Sequence, residues 1–287
     1  MIPASFDYHA PKTLAEAVGL LERYRDEAKV LSGGQSLLPL LKLRLAQVAH
    51  VVDIGRVPGL EYIKEEKGFL KIGGRTREST LERSELIRGK YPILADTTAV
   101  IADPLVRNLA TVGGNLAHGD PANDHPALAM ALDAVFVLEG PKGRREVRAD
   151  AFFQGTYATD MAEDEILVEI RVPAFGPKTG YAYEKLKRKT GDWATAAAAV
   201  VLRMDGGSVS HARIALTNLA PTALRATDAE AALLGKPLAD AVVSDAAARA
   251  MAICDPAEDL RGDRDYKIAM AGQMVRRALA KAAAGCA

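Results

Sequence analysis

Two short stretches decide how the chain is read: Ser32-Gly33-Gly34-Gln35-Ser36 and Thr111-Val112-Gly113-Gly114-Asn115. Paired glycines flanked by Ser or Thr let the backbone turn tightly and aim several amides at one anion, with no β-carbon to block close approach. Facing one another, two such segments would cradle the two phosphates of a dinucleotide from opposite sides. Each alone reads equally well as an ordinary tight turn. Neither lies in G-x-G-x-x-G after a strand or in G-x-x-x-x-G-K-[ST], which excludes a standard Rossmann or P-loop reading.

Around the first segment the pattern is βαβ. Thr13-Leu-Ala-Glu16 predicts a capping box, and Leu14, Ala17, Val18 and Leu21 follow at helical spacing. A strand over Ala28–Leu31 leads into the glycine pair, then a Leu-rich helix, then a strand over residues 51–54. After the break at Pro58-Gly59, residues 69–72 predict a strand, and residues 80–87 and 93–101 predict helices that lead into the second segment. Residues 134–138 and 145–148 predict a hairpin, and residues 166–172 an alternating strand. The stretch Gly176-Pro-Lys-Thr-Gly180 reads as a linker. Beyond it, strands are expected over residues 181–188, 196–203 and 209–216, the last two joined by Asp205-Gly206-Gly207, and helices from Thr227 to a final one over residues 266–284. This makes an α+β carboxy-terminal domain of three strands and a helical layer.

The 287 residues carry 37 Lys+Arg against 37 Asp+Glu, so net charge will not draw the chain to nucleic acid or to an anionic membrane. Aromatics make up 5%, too few for a base-stacking surface. The length predicts two or three domains. Cys254 and Cys286 have no second cysteine nearby in sequence, which excludes a cysteine-ligated iron–sulfur cluster and the common structural zinc sites on this chain. The amino terminus has no basic and apolar leader pattern, and a cytosolic protein with reduced thiols is expected.

Three further stretches have a structural and a functional reading. His118-Gly-Asp120-Pro-Ala-Asn123-Asp124-His125-Pro126 gathers two His and two carboxylates. Helix capping by Asn123 or Asp124 explains it better than a metal, and Asp124 is also placed to meet a ribose hydroxyl. Lys185-Leu-Lys187-Arg188-Lys189 reads as a solvated strand edge, with one cation beside an electron-rich ring as the alternative. Trp193, the only tryptophan, reads as an anchor of the domain seam or as a plate against a planar cofactor. With no nucleophile triad in view, redox chemistry here would need a bound cofactor.

The two glycine segments at this separation, with Ile101-Ala-Asp-Pro before the second and Asp120-Pro and Asp124 after it, resemble the FAD-binding flavoprotein subunits of molybdenum hydroxylases, the xanthine dehydrogenase family. The resemblance covers the whole chain. Ala117-His-Gly-Asp-Pro-Ala-Asn-Asp-His-Pro126 and Tyr183-Glu-Lys-Leu-Lys-Arg-Lys-Thr-Gly-Asp-Trp-Ala194 resemble the medium subunits of its carbon monoxide dehydrogenase branch. The resemblance implies an FAD-binding fold of the vanillyl-alcohol oxidase or p-cresol methylhydroxylase type. Its two α+β subdomains would span residues 1–56 and 57–177, with a carboxy-terminal domain over 178–287.

Carried over residue by residue, Val30, Leu31, Ser32, Gly33, Gly34, Gln35, Ser36 and Leu37 would hold the pyrophosphate and ribityl chain together with Thr111, Val112, Gly113, Gly114 and Asn115. Ile101 would line the flavin pocket, Asp124 would meet a ribose hydroxyl, and Leu167 and Lys185 would complete the site. Trp193 would lie beside it. Gln35 stands where nearest relatives are expected to carry His, and it keeps a hydrogen-bond donor. Val in place of Gly113 or Gly114 would block phosphate approach and oppose a positive φ.

The resemblance also implies a division of labour. Carbon monoxide and water would be converted to CO2 at a molybdopterin Mo–Cu centre on a large subunit. Electrons would pass through two [2Fe–2S] clusters on a small subunit to FAD on this chain, and on to a quinone-type acceptor. The implied assembly is a dimer of heterotrimers, cytoplasmic or peripheral on the inner face of the membrane. It implies no nucleic-acid partner, and no catalytic residue or metal ligand on this chain. Open beside it are an FAD subunit acting with another molybdenum hydroxylase, on a purine or N-heteroaromatic ring, a self-sufficient flavin oxidase, and a colourless scaffold.

Overall fold

The expected capping box forms: the Thr13 hydroxyl accepts from the Glu16 amide at 3.1 Å, and the Glu16 carboxylate accepts from the Thr13 amide at 3.3 Å. It starts α1 (Leu14–Tyr24), which buries Ala17, Val18 and Leu21. The computed structural model describes residues 1–176 and 178–286. The expected boundary at residue 177, inside the linker, and the chain end at 287 lie outside the described residues. Strands β1 (Asp7–His9), β2 (Ala28–Leu31) and β3 (His50–Asp53) form a parallel sheet in the order β1-β3-β2, with α2 (Leu37–Lys42) crossing from β2 to β3. The βαβ unit is as read; the three-residue edge strand β1 is too short to show a period.

A second sheet is antiparallel throughout, in the order β4-β5-β10-β6-β7. Its strands are β4 (Ile63–Glu66), β5 (Phe69–Gly73), β6 (Val135–Gly140), β7 (Gly143–Arg148) and β10 (Ile166–Pro173). A small ribbon, β8 (Phe153–Gly155) and β9 (Ala158–Thr159), follows helix α9 (Ala149–Phe152). The central strand β10 does not alternate as expected, because layers cover both of its faces. Ile166 and Val168 pack on the first sheet's cluster. A bulge between Leu167 and Glu169 then shifts the parity, so Leu167, Ile170 and Val172 share the opposite face.

Between β5 and β6 run α3 (Glu78–Arg83), α4 (Glu85–Lys90), α5 (Pro92–Ala99), α6 (Pro104–Arg107), α7 (Val112–His118) and α8 (Asp124–Ala131). The single helix expected over residues 80–87 is two. Ser84 turns to extended φ −62°, ψ 123°, and its hydroxyl accepts from the Ile87 amide to start α4.

The carboxy-terminal sheet contains the three expected strands, β11 (Thr179–Leu186), β12 (Ala196–Asp205) and β13 (Ser208–Thr217), and gains a two-residue fourth, β14 (Leu224–Arg225). Gly206 and Gly207 turn β12 into β13 with φ of +55° and +83°, as a tight hairpin requires. The small residues of β12 serve two layers. Ala196, Ala198 and Val200 face α10 (Thr227–Leu233), α11 (Asp240–Ala252) and α12 (Arg264–Ala284), while Ala197, Ala199 and Val201 face the cluster of the second sheet and its helices. On that side α5 packs on β11 and α8 on β13, which brings the amino-terminal end of α8 and the carboxy-terminal end of α5 against β11. Among the described residues no helix is long and apolar enough to cross a membrane.

Candidate functional site

Strand β2 delivers Val30 and Leu31 into the first glycine segment, where Gly34 adopts φ +74°. Among the described residues, the backbone amides of Gly33, Gly34, Gln35, Ser36 and Leu37 donate to no protein acceptor. Successive unpaired amides around a left-handed glycine form an anion-binding concavity. The Gln35 side chain folds back to donate to the Gly33 carbonyl at 3.3 Å. A β-carbon on Gly33 would lie 2.3 Å from the Leu109 carbonyl oxygen, so the loop rests directly on the backbone that leads into the second segment.

The second segment is not the turn expected from its glycines. Thr111 is the amino-terminal cap of α7, with its hydroxyl accepting from the Gly114 amide at 3.2 Å. Val112 donates to Thr76, Gly113 to Gly74, and Asn115 to the Thr111 carbonyl. These amides are committed inside the protein, and neither Gly113 nor Gly114 has positive φ. What Gly113 provides is proximity: a β-carbon there would lie 2.5 Å from the Gly74 carbonyl oxygen, and one on Gly74 would lie 2.1 Å from that of Leu167. Leu167 is thereby stacked behind the second segment. The Ser32 and Thr111 hydroxyls meet at 3.0 Å, which joins the two segments. Among the described residues, the Asn115 side-chain oxygen is buried without a partner beside them, while its backbone carbonyl accepts from Asn123 at 3.0 Å.

A buried charge network adjoins this pair. Asp124, the first residue of α8, accepts from Lys185 at 2.7 Å and from the Tyr183 hydroxyl at 2.5 Å; Tyr183 also meets Thr217 at 3.1 Å. Capping therefore does not explain Asp124, and the Asn123 side chain makes no cap bond either. Nor is Lys185 a solvated edge, since its side chain is 3% exposed. Lys185 and Lys187 each donate to the Val100 carbonyl at 3.2 Å, and Arg107 donates to that of Ile101 at 2.9 Å. Burial, then the Asp124 charge, hold the Tyr183 hydroxyl far above the usual tyrosine value. Burial and then the Lys185 charge push Lys187 down. Sequence reading gave Tyr183 no site role and did not single Lys187 out of its basic stretch. The signal was there: Tyr183, Lys185 and Lys187 stand two apart and share one face of an extended chain.

Trp193 does not anchor the seam. It is 49% exposed, under the Arg261 guanidinium at 5.5 Å from the ring centre. Next to it the Arg188 hydrogen bond, aided by Arg261, holds Asp192 down at about 2. The His118–Pro126 stretch is spread over separate partners. His125 pairs with Glu78 at 2.8 Å, and His118 leans on Tyr157 with 5.0 Å between ring centres. Among the described residues no three His, Cys, Asp or Glu side chains gather as a metal site.

A row of open amides, a buried carboxamide oxygen awaiting a donor, and a cationic cluster nearby fit a phosphate-bearing, electron-rich cofactor. Comparison with known proteins agrees. The FAD binding domain in molybdopterin dehydrogenase matches residues 4–175, and the CO dehydrogenase flavoprotein C-terminal domain matches residues 181–282. The chain is 59% identical to the carbon monoxide dehydrogenase medium chain of Hydrogenophaga pseudoflava, over all of both chains. Among solved structures, it superposes with a TM-score of 0.99 on the carbon monoxide dehydrogenase of that organism that lacks the Mo-pyranopterin moiety, at 61% identity and covering all of both chains. It also superposes with a TM-score of 0.98 on a cyanide-inactivated Cu,Mo-CO dehydrogenase, at 47% identity, covering 99% of this chain and 100% of that one. The chain belongs to the family of FAD-binding flavoprotein subunits of molybdopterin dehydrogenases, and its carboxy-terminal domain is of the carbon monoxide dehydrogenase flavoprotein type.

Proposed function

We propose that the chain is the FAD-carrying, electron-transferring medium subunit of a molybdenum- and copper-containing carbon monoxide dehydrogenase. The observation that carries the cofactor reading is the row of open amides from Gly33 to Leu37, locked by the Ser32 hydroxyl to Thr111. Those amides would receive the pyrophosphate, with Val30, Leu31, Thr111, Val112, Gly113, Gly114 and Asn115 forming the wall beside it. The open Asn115 oxygen would accept from a cofactor hydroxyl. Ile101, Leu167 and Lys185 would enclose the rings, Asp124, held by Lys185, would meet a ribose hydroxyl, and Trp193 would border the opening. FAD bound there supplies the step between single-electron donors and a two-electron acceptor. The chain's own groups bind and orient it, and no side chain here needs to move a proton of the substrate.

Partners follow from the same reading: a large molybdopterin subunit with the Mo–Cu centre and a small subunit with two [2Fe–2S] clusters, assembled as a dimer of heterotrimers. Electrons would leave to a quinone-type acceptor, which favours a cytoplasmic assembly held peripherally at the membrane. Within the chain we place subdomains over 1–56 and 57–177 and the carboxy-terminal domain over 178–287. The test is flavin bleaching in the assembled complex under carbon monoxide. Bleaching supports the reading; bleaching by a purine or N-heteroaromatic substrate, with no response to carbon monoxide, assigns the chain to another molybdenum hydroxylase.

A further inference from the structure

Three cations converge on the turn that carries Ile101. Lys185 and Lys187 donate to the Val100 carbonyl and Arg107 to that of Ile101, and the next residue, Ala102, holds φ +44°, a conformation disfavoured for a residue with a β-carbon. Two of the three charges are already matched: Lys185 by Asp124 at 2.7 Å, and Arg107 by Glu82 at 2.9 Å. Among the described residues Lys187 has no carboxylate oxygen within 4.0 Å. Lys187 is thus the one of the three with no carboxylate partner of its own, although Asp124, already paired with Lys185, also acts on it.

We propose that Lys187 supplies the uncompensated positive charge that stabilises the anionic reduced form of the flavin. This rests on the FAD site proposed above. Half-buried beside Lys185 and Arg107, the Lys187 ammonium stays charged at a cost, and a new negative charge next to the turn offsets that cost. Reduction provides one: two electrons, delivered by the iron–sulfur partner, and one proton taken up at the ring convert neutral oxidised flavin to the singly negative reduced form. Charge near the ring nitrogens is a main lever on flavin potential. A lysine that only tied down Val100 would leave the potential alone, because that role needs a donor and no net charge.

The test is the two-electron midpoint potential of the flavin in the three-subunit complex, compared for the native chain, Lys187→Met and Lys187→Arg. The expected result is full flavin occupancy in Lys187→Met with a potential more negative by about 30 mV or more, the two-electron equivalent of a tenfold loss in stabilisation of the reduced form. Lys187→Arg is expected to return it to the native value. An unchanged potential in Lys187→Met with flavin in place overturns the proposal. A native complex without flavin overturns the cofactor site itself. Should Lys187→Met fail to assemble, Lys187→Gln, which keeps a donor for Val100, is judged by the same shift.

Discussion

The hydroxyls of Ser32 and Thr111 lie 3.0 Å apart across a separation of 79 residues. The same Thr111 oxygen accepts from Gly114. One side chain therefore caps a helix and docks a loop from a different sheet, and the two glycine segments form a single wall. Their glycines do different work in it. Gly34 supplies a left-handed turn, while Gly33 and Gly113 let backbone touch backbone.

Gly33→Ala is expected to open that wall. Its β-carbon would meet the Leu109 carbonyl oxygen at 2.3 Å and the Ala110 α-carbon at 2.8 Å, both backbone atoms that cannot swing aside. The flavin-to-protein ratio of the purified complex should fall, with a stability loss of about 1–3 kcal/mol typical of overpacking. Ser32→Ala, which removes one hydrogen bond without a clash, should cost about 1 kcal/mol and retain flavin.

Gly113 and Gly114 should not be equivalent. A β-carbon at Gly113 meets the Gly74 backbone at 2.5 Å, whereas at Gly114 it meets only the Thr111 hydroxyl, at 2.8 Å. With φ negative at both, Ala at Gly114 carries no left-handed strain. Thermal midpoints of the complexes should drop for Gly113→Ala and much less for Gly114→Ala; equal drops would contradict the backbone-packing account.

Removing Asp124 leaves the buried Lys185 without its charge partner. Asp124→Ala is expected to destabilise the complex by about 3–5 kcal/mol, and Tyr183→Phe, which removes one hydrogen bond to Asp124, by about 1 kcal/mol. Denaturant midpoints check both. In the double variant Asp124→Ala with Lys185→Met, the loss should be smaller than for Asp124→Ala alone, because no unpaired charge remains.

The buried His125–Glu78 pair should leave a signature in pH. Burial opposes the charge on His125, but Glu78, through its charge and hydrogen bond, outweighs it and raises the pKa. A folded value above the unfolded one means the pair's stabilisation is complete below about pH 6.5, the unfolded histidine value. It is lost as pH rises through the raised folded value. The thermal midpoint should decline as pH rises above about 6.5 in the native complex, and the decline should flatten in His125→Gln.

Much of the fold is legible in the sequence because its signals are local. The capping box at Thr13, the glycine pair after β2 and the Asp205-Gly206-Gly207 hairpin each carry their own geometry. Other features depend on the tertiary layers. Strand β10 loses its alternation to a bulge and to burial on both faces, and Thr111-Val-Gly-Gly reads as a turn until Gly74 is found behind it. The two glycine segments stand out in the sequence, but the Ser32–Thr111 contact that joins them does not, because it spans 79 residues. Lys185 reads as surface because its neighbours Arg188 and Lys189 are surface, and only the packing of α5 on β11 and of α8 on β13 reveals the carboxylate and carbonyl it faces.

The central claim is that this chain holds FAD within a molybdenum- and copper-dependent assembly. The visible absorption spectrum of the native complex isolated through this chain, with metal analysis of the same sample, tests it most directly. The account predicts flavin bands together with iron–sulfur absorbance, molybdenum and copper. A complex with no flavin would contradict it and return both glycine segments to purely structural packing.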